Sequence, residues 1–533
     1  MGMGDIPEWI SAFATLFALV FAASAVVVNR RTYRIESARD RVSAEQRERR
    51  QLLLRQHQAA LVSAWWGELD GRRGAFVRNA SQTPVHQVYL TVLNRDDRSD
   101  GVKFYFPVVP PSEEPVFCSA GAVPIPAGTA AFRVKLCFTD ASGVRWLRNQ
   151  YGRITELEPT LRVKSDSARS TALSAFKDDF NATYGADVTF DTSSLDAPQE
   201  RFVRDLARSS EVDAMVCPHD WIGDLVARDL VESMVLADHH RDLFHGWTLS
   251  ALTVDGKLYG MPTTVDTVAL WRNTRLAPAA PRTFDELIAH GRALKEDGRV
   301  DEVLALRVGA IGDPFQVWPL FTSAGGWVFR RSLDGTWLTD VIGLDSPESV
   351  RAFARLRELG EQGSGLLRRS IGRDEAFDLF RRGRTPYLIS TSDAFLHVGG
   401  RVSTLAVGPV PAFSGGAAAR GFSLVHGFHI KKGAKNKVVA QDLFADYLTH
   451  EHVMSALSGG TGAPTALRGL PAVDPLLGDF YQLCERADPM PTHPRMGQIW
   501  RVIEEAEVSA VAGEPADRVA RDAAARVAAL VRG

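Results

Sequence analysis

Cysteine is scarce: Cys118, Cys137, Cys217 and Cys484 are the only four in 533 residues, with no CxxC pair and no zinc-finger spacing to histidine. That excludes a disulfide scaffold and a structural zinc site. Cys118 and Cys137 share one β-rich region, so a bond between them in an oxidising compartment stays open beside two buried free thiols. An excess of charge of one sign is also lacking. The 62 basic and 64 acidic residues leave a net charge of -2, whereas a protein that grips a phosphate backbone carries a basic excess. Nucleic acid is therefore not an expected partner. No GxSxG elbow, HExxH pair, GxxxxGK[ST] loop or glycine-rich dinucleotide fingerprint occurs. Nothing asks for a cofactor.

What is present is length, cut into segments of different texture. A chain of 533 residues, 45% hydrophobic and 24% charged, exceeds one ordinary core and should divide into two or three domains. Residues 10–28, ISAFATLFALVFAASAVVV, run nineteen positions without a charge, close to the roughly 20 that cross a bilayer core as a helix. Ala23-Ser24-Ala25 offers a signal-peptidase site, but the leading residues hold Asp5 and Glu8 and no Lys or Arg, unlike a secretory leader. Arg30, Arg31, Arg34, Arg39 and Arg41 follow directly. By the positive-inside rule this single-pass anchor in the plasma membrane puts the bulk of the chain in the cytoplasm, with an extracellular placement as the alternative. From 32 to about 61 an Arg/Glu/Gln/Ala-rich stretch without Pro or Gly predicts an exposed helix.

After Ala60 short alternating runs appear, among them HQVYLTVLN, VKFYFPVV and FRVKLCFTD, separated by turn clusters such as Asp70-Gly71. This predicts an antiparallel β-sandwich of immunoglobulin-like size. Beyond Leu161 strands and helices alternate, RVKSD, SARSTALSAFKDDFNATYG, ADVTFDT, RFVRDLARS and VDAMVCP, which predicts α/β layers with ligands at the carboxyl ends of strands.

Seven segments carry a further signal: VDAMVCPHDWIGDLVARDLV, LTVDGKLYGMPTTVDTVALWRNTRL, PRTFDELIAHGRAL, DPFQVWPLFTSAGGWVF, DEAFDLFRRGRTPYLIS, GFHIKKGAKNKVVAQDLFADYLT and MPTHPRMGQIW. In this order and spacing, across nearly all of residues 160–533, the chain resembles the maltose-binding group of ABC-transporter substrate-binding proteins. The resemblance implies an α/β two-lobed periplasmic-binding-protein-like domain that clamps a sugar-like solute. It would be preceded by one transmembrane helix (1–30), an arginine-rich helical linker (31–60) and the immunoglobulin-like β-sandwich (61–159).

The same resemblance assigns site residues. Asp220, in the pair His219-Asp220, falls on the family's sugar-binding aspartate, Asp266 on an acidic ligand beside the hinge, and Trp500 on a stacking tryptophan. A sugar needs such a set, carboxylates to accept from its hydroxyls and an aromatic plane for its C–H face. Other family positions have changed: Cys217 stands where a tryptophan is usual, Phe315 replaces a cleft tyrosine, and the chain lies near Asp393 where a stacking tryptophan is usual. With Ser390, Thr391 and Ser392, these changes favour a smaller or more polar solute, a monosaccharide, a polyol or an amine-bearing molecule.

Each assignment has a plainer rival: Asp220 capping the next helix, Asp266 paired with Arg272, Trp500 as core. At the level of function, a non-catalytic receptor partnered by an ABC permease or a signalling protein is the expectation. Asp220 and Asp266 as a hydrolytic pair would need to lie about 5 to 9.5 Å apart. A cytoplasm-facing scaffold or signalling protein with a repurposed binding fold is the remaining alternative.

Overall fold

The computed structural model describes residues 57–93, 102–119, 133–141, 144–157, 160–184, 186–192, 199–234, 236, 238–333, 335–398 and 404–532. The anchor expected over 10–28 and all but the last turn of the arginine-rich helix, residues 57–60, lie outside them. Among the described residues no helix is long and apolar enough to cross a membrane. The chain divides between Glu156 and Leu157 into two compact units.

The first unit is built from antiparallel strands. Val62–Leu69, Arg72–Asn79 and Val116–Ser119 form one sheet. Val102–Val109, Val85–Leu93, Arg133–Thr139, Arg145–Arg148 and Ile154–Leu157 lie in that order in a second. The first hairpin follows from its sequence: Asp70 and Gly71 both take positive φ, 51° and 73°, the two-residue turn whose twist matches paired strands. Inward-facing Val62, Ala75 and Val77 of one sheet share a single core with Val88, Leu90 and Phe138 of the other. Trp146, fully buried there, donates from Nε1 to Asp140 at 2.8 Å. Cys118 and Cys137 are buried and form no disulfide, and burial pushes each thiol up to about 11.

The second unit has two α/β halves. In the first half, Asp187–Thr192, Thr160–Ser165 and Ala214–Pro218 run parallel. Phe422–Ile430 is inserted antiparallel between Ala214–Pro218 and Met261–Asp266. The sheet of the second half runs Ala305–Leu306, Tyr387–Ser390, Ala269–Asn273, Leu405–Gly408. The chain therefore passes between halves at 266–269 and again at 408–422. A third passage follows the helix Pro475–Arg486: Asp488 and Pro489 pair with Phe422 and Ser423, and the helix Met496–Ala512 then packs into the core of the second half. Helix starts are set locally, as where Thr283 accepts from the backbone N–H of Glu286 at 3.1 Å to cap Phe284–Glu296.

Three passages give the halves a shared floor, and one glycine shows how closely it is packed. A Cβ on Gly223, in the helix Ile222–Ala227, would lie 1.9 Å from the carbonyl oxygen of Thr492. Only a residue without a side chain lets the first half approach the third passage this closely.

Candidate functional site

The strand Ala214–Pro218 is buried along its whole length and ends in the turn His219–Trp221. Two neighbours in that turn part company. His219 is fully buried, its Nδ1 accepts from the backbone N–H of Val425 at 3.0 Å, and its Nε2 lies 3.2 Å from the carbonyl of Met490. Burial pushes its pKa down to about 4, so the ring is neutral, and with Nδ1 accepting, Nε2 carries the proton and donates to Met490. His219 thus ties the turn to the strand Phe422–Ile430 and to the third passage.

Asp220 faces the other way. It is 4% exposed, its Oδ1 has no hydrogen-bond partner, and the helix Ile222–Ala227 takes no side-chain cap. Burial pushes its pKa up to about 7, because a desolvated carboxylate without a cation favours its neutral form.

Opposite it, the helix Met496–Ala512 sorts its residues by a 3.6-residue period. Met496, Ile499, Val502, Ile503 and Ala510 enter the core, while Gly497, Trp500, Arg501, Glu504, Glu505 and Val508 line a cleft of about 860 Å³. Trp500 is 8% exposed and held edge-on by Trp318 and Phe422, with ring centroids 6.1 Å and 5.7 Å away. Its Nε1 has no partner. Burial and the nearby charge of Asp313 push Glu504 up to about 7, against the pull of Arg501. Glu507, on the buried side of this helix, accepts from the backbone N–H of Asp313 at 3.3 Å.

Both halves line this cleft. The first contributes Gln199, Glu200, Pro218, Asp220 and Trp221, with Leu424 from its strand Phe422–Ile430; the second contributes Ile311, Asp313 and Phe315; Met490 comes from the third passage. Its volume falls within the range of small-molecule sites. Of the residues expected from the sequence, Asp220, Phe315 and Trp500 come together here, with His219 behind Asp220.

Asp266 and Asp393 do not line it. Asp266 accepts from the backbone N–H and the hydroxyl of Ser392, at 2.9 and 3.0 Å, and from the N–H of Thr267 at 2.8 Å. These bonds fasten the end of a first-half strand to a turn of the second half. Burial pushes Asp266 up to about 7 against those hydrogen bonds, and the charge of Asp393 adds to the rise. Arg272, the partner of the plainer rival reading, is instead spent on the carbonyls of Ala277 and Pro278. Asp393 pairs with Arg373 at 2.7 Å and accepts from Thr391 at 2.5 Å. The polar run from Ser390 to Asp393 is thus bonded internally and to Asp266, Cys217 is buried core, and Asp220 and Asp266 do not meet as a pair in the cleft.

The residues that sequence reasoning passed over are Gln199, Glu200, Asp313, Arg501, Glu504 and Glu505. For Arg501, Glu504 and Glu505 the helical period running from Trp500 to Val508 is the legible signal; Gln199, Glu200 and Asp313, on other elements, carry none. Among the described residues no group of three or more His, Cys, Asp or Glu is placed to hold a metal ion.

A cleft shared by two α/β halves, with three chain passages beneath it, coincides with a family match: the model for bacterial extracellular solute-binding proteins covers residues 175–479. The chain belongs to this family. Its extracellular description favours an extracellular or periplasmic domain over the cytoplasmic one expected from the arginine-rich flank. Among curated relatives, the chain is similar to the galactooligosaccharide-binding protein of Bacillus subtilis (strain 168), 24% identical over 338 residues, 59% of this chain and 76% of that protein. It is also similar to the maltotriose-binding protein of Pyrococcus abyssi, 24% identical over 307 residues, 54% of this chain and 63% of that protein. The maltodextrin-binding protein MdxE of Bacillus subtilis matches at 24% over 327 residues, 59% and 76% of the respective chains. These relatives are named as sugar-binding proteins, none as an enzyme.

Proposed function

We propose that residues 160–533 form a receptor that clamps a small polar solute, a sugar or related polyol, between their two halves without breaking a bond in it. The observation that carries this reading is one cleft lined from both halves by Asp220 and Trp500, each of which keeps a buried polar atom, an acceptor Oδ1 and a donor Nε1, without a partner. A buried polar group with no partner costs free energy that a ligand can return. A solute touching both walls interacts with both only when the halves close, which shifts the population toward the closed form.

In this reading residues 10–28 tether the receptor to a membrane, residues 61–159 stand between anchor and receptor as an immunoglobulin-like β-sandwich, and the cleft works outside the cell. The extracellular description of the family supports the placement of the cleft, the sugar-binding names of its relatives support the solute class, and the tether rests on the uncharged run alone. The closed form would then dock on an ABC permease or a sensing partner.

A thermal-shift screen of the full chain against sugars and polyols tests the reading. A solute present at 100 times its dissociation constant stabilises the native state by about 2.7 kcal/mol, so the melting temperature should rise by several degrees for at least one member. Flat melts across the panel contradict the receptor and leave the scaffold.

A further inference from the structure

The charges lining the cleft do not balance. Five carboxylates, Glu200, Asp220, Asp313, Glu504 and Glu505, face it with one guanidinium, Arg501. Three of the five are matched: Glu200 by Arg501, Asp313 by Arg307 at 2.9 Å and Glu505 by Arg526 at 2.7 Å. Taking those three from the five leaves two, Asp220 and Glu504, with no ion-pair partner among the described residues.

A neutral sugar does not resolve this. Its hydroxyls hydrogen-bond to a carboxyl in either form but do nothing to hold it ionised, and whatever charge it carries stays uncompensated and costly once the cleft closes and water leaves. A protonated amine brings the opposite charge and three donors in one compact group. Trp500 and Glu504 sit four residues apart on one face of their helix, so their Cβ atoms are about 5–6 Å apart. A cation held by Glu504 therefore lies beside the indole, whose ring attracts positive charge where its face is open to it.

The unpartnered indole N–H asks for something else, an oxygen acceptor on the same solute. Ile311, Phe315, Leu424, Met490 and Val508 supply apolar wall for a carbon skeleton.

Resting on the receptor reading above, we infer that the solute carries a protonated amine as well as hydroxyl or ether oxygens, as an amino sugar or amino polyol does, with Asp220 and Glu504 as the cation's acceptors and Trp500 as its aromatic face. Both acceptors sit near half-protonation at neutral pH in the solute-free protein. Binding of the cation releases those protons, so affinity rises as pH is raised toward the amine's own pKa.

Calorimetric titration of the full chain tests this with glucosamine and galactosamine against their neutral counterparts glucose, galactose and N-acetylglucosamine, and with putrescine as an amine that is not a sugar. At about pH 7.5 an amino sugar should bind at least about tenfold more tightly than its neutral counterpart, and weaken at about pH 5.5. Glu504→Gln should bring that ratio close to one, with a cooperative melt retained as the check that the variant folds. Neutral sugars binding as well as amino sugars would overturn the inference and leave the receptor reading standing. Putrescine binding alone would uphold the amine and overturn the sugar. A panel with no binder at all overturns both. An unchanged preference in a folded Glu504→Gln would remove Glu504 from the site and overturn the assignment.

Discussion

Asp220→Asn is expected to make the solute-free protein more stable above neutral pH, by about 2–4 kcal/mol, while abolishing solute binding. The magnitude follows from a carboxyl whose pKa is moved from 3.8 to about 7, each unit being worth about 1.4 kcal/mol. The sign follows from which form the fold prefers. The folded state favours the protonated acid, so this group's favourable contribution is fully present below the unfolded value near 3.8 and is lost as pH rises through about 7. Asparagine keeps the shape, titrates nowhere and removes the ionisation.

The difference in melting temperature between variant and parent should therefore be close to nil near pH 4 and reach its maximum above about pH 8. Stability gained while function is lost marks a residue kept for its ligand. A variant that melts lower than the parent at about pH 8 would show that Asp220 has a structural partner after all.

Replacement of Trp500 separates packing from recognition. Trp500→Ala opens a void beside Trp318 and Phe422 and should cost about 3–5 kcal/mol of stability, which makes its loss of binding ambiguous. Trp500→Phe keeps an aromatic ring against the same neighbours while losing the unpartnered N–H and the five-membered ring that carries it, a far smaller void than alanine leaves. It should melt within a few degrees of the parent yet bind solute roughly 10- to 100-fold more weakly, the worth of one or two lost interactions in a desolvated site. Binding unchanged in Trp500→Phe would mean that the indole N–H points at nothing that matters.

The local elements were written in the sequence more plainly than the site was. Asp70-Gly71 dictates a hairpin wherever it sits between alternating strands, and the strand–helix alternation beyond Leu161 already demanded an α/β unit. Sheet order was hidden, because the pairing of Val116–Ser119 with Arg72–Asn79 depends on contacts that no local pattern encodes.

The site was half legible for the same reason. His219 and Asp220 are neighbours with opposite fates, set by two backbone partners, Val425 and Met490, that lie hundreds of residues away. Asp266 was read as facing solute, and only the fold brings Ser392 within hydrogen-bonding range of it. The acidic face of Met496–Ala512 is legible only through its helical period, which puts Glu504 one turn beyond Trp500.

Closure of the cleft around solute is the claim on which the rest depends, and a distance across it is the most direct measurement. All four native cysteines are buried, so spin labels can be placed at Arg204→Cys and Arg351→Cys, exposed positions on a helix of each half. With saturating amounts of the tightest binder from the sugar and amino-sugar panels, the label-to-label distance should shorten by several ångströms and its distribution narrow. An unchanged distribution in the presence of demonstrably bound solute would contradict the account.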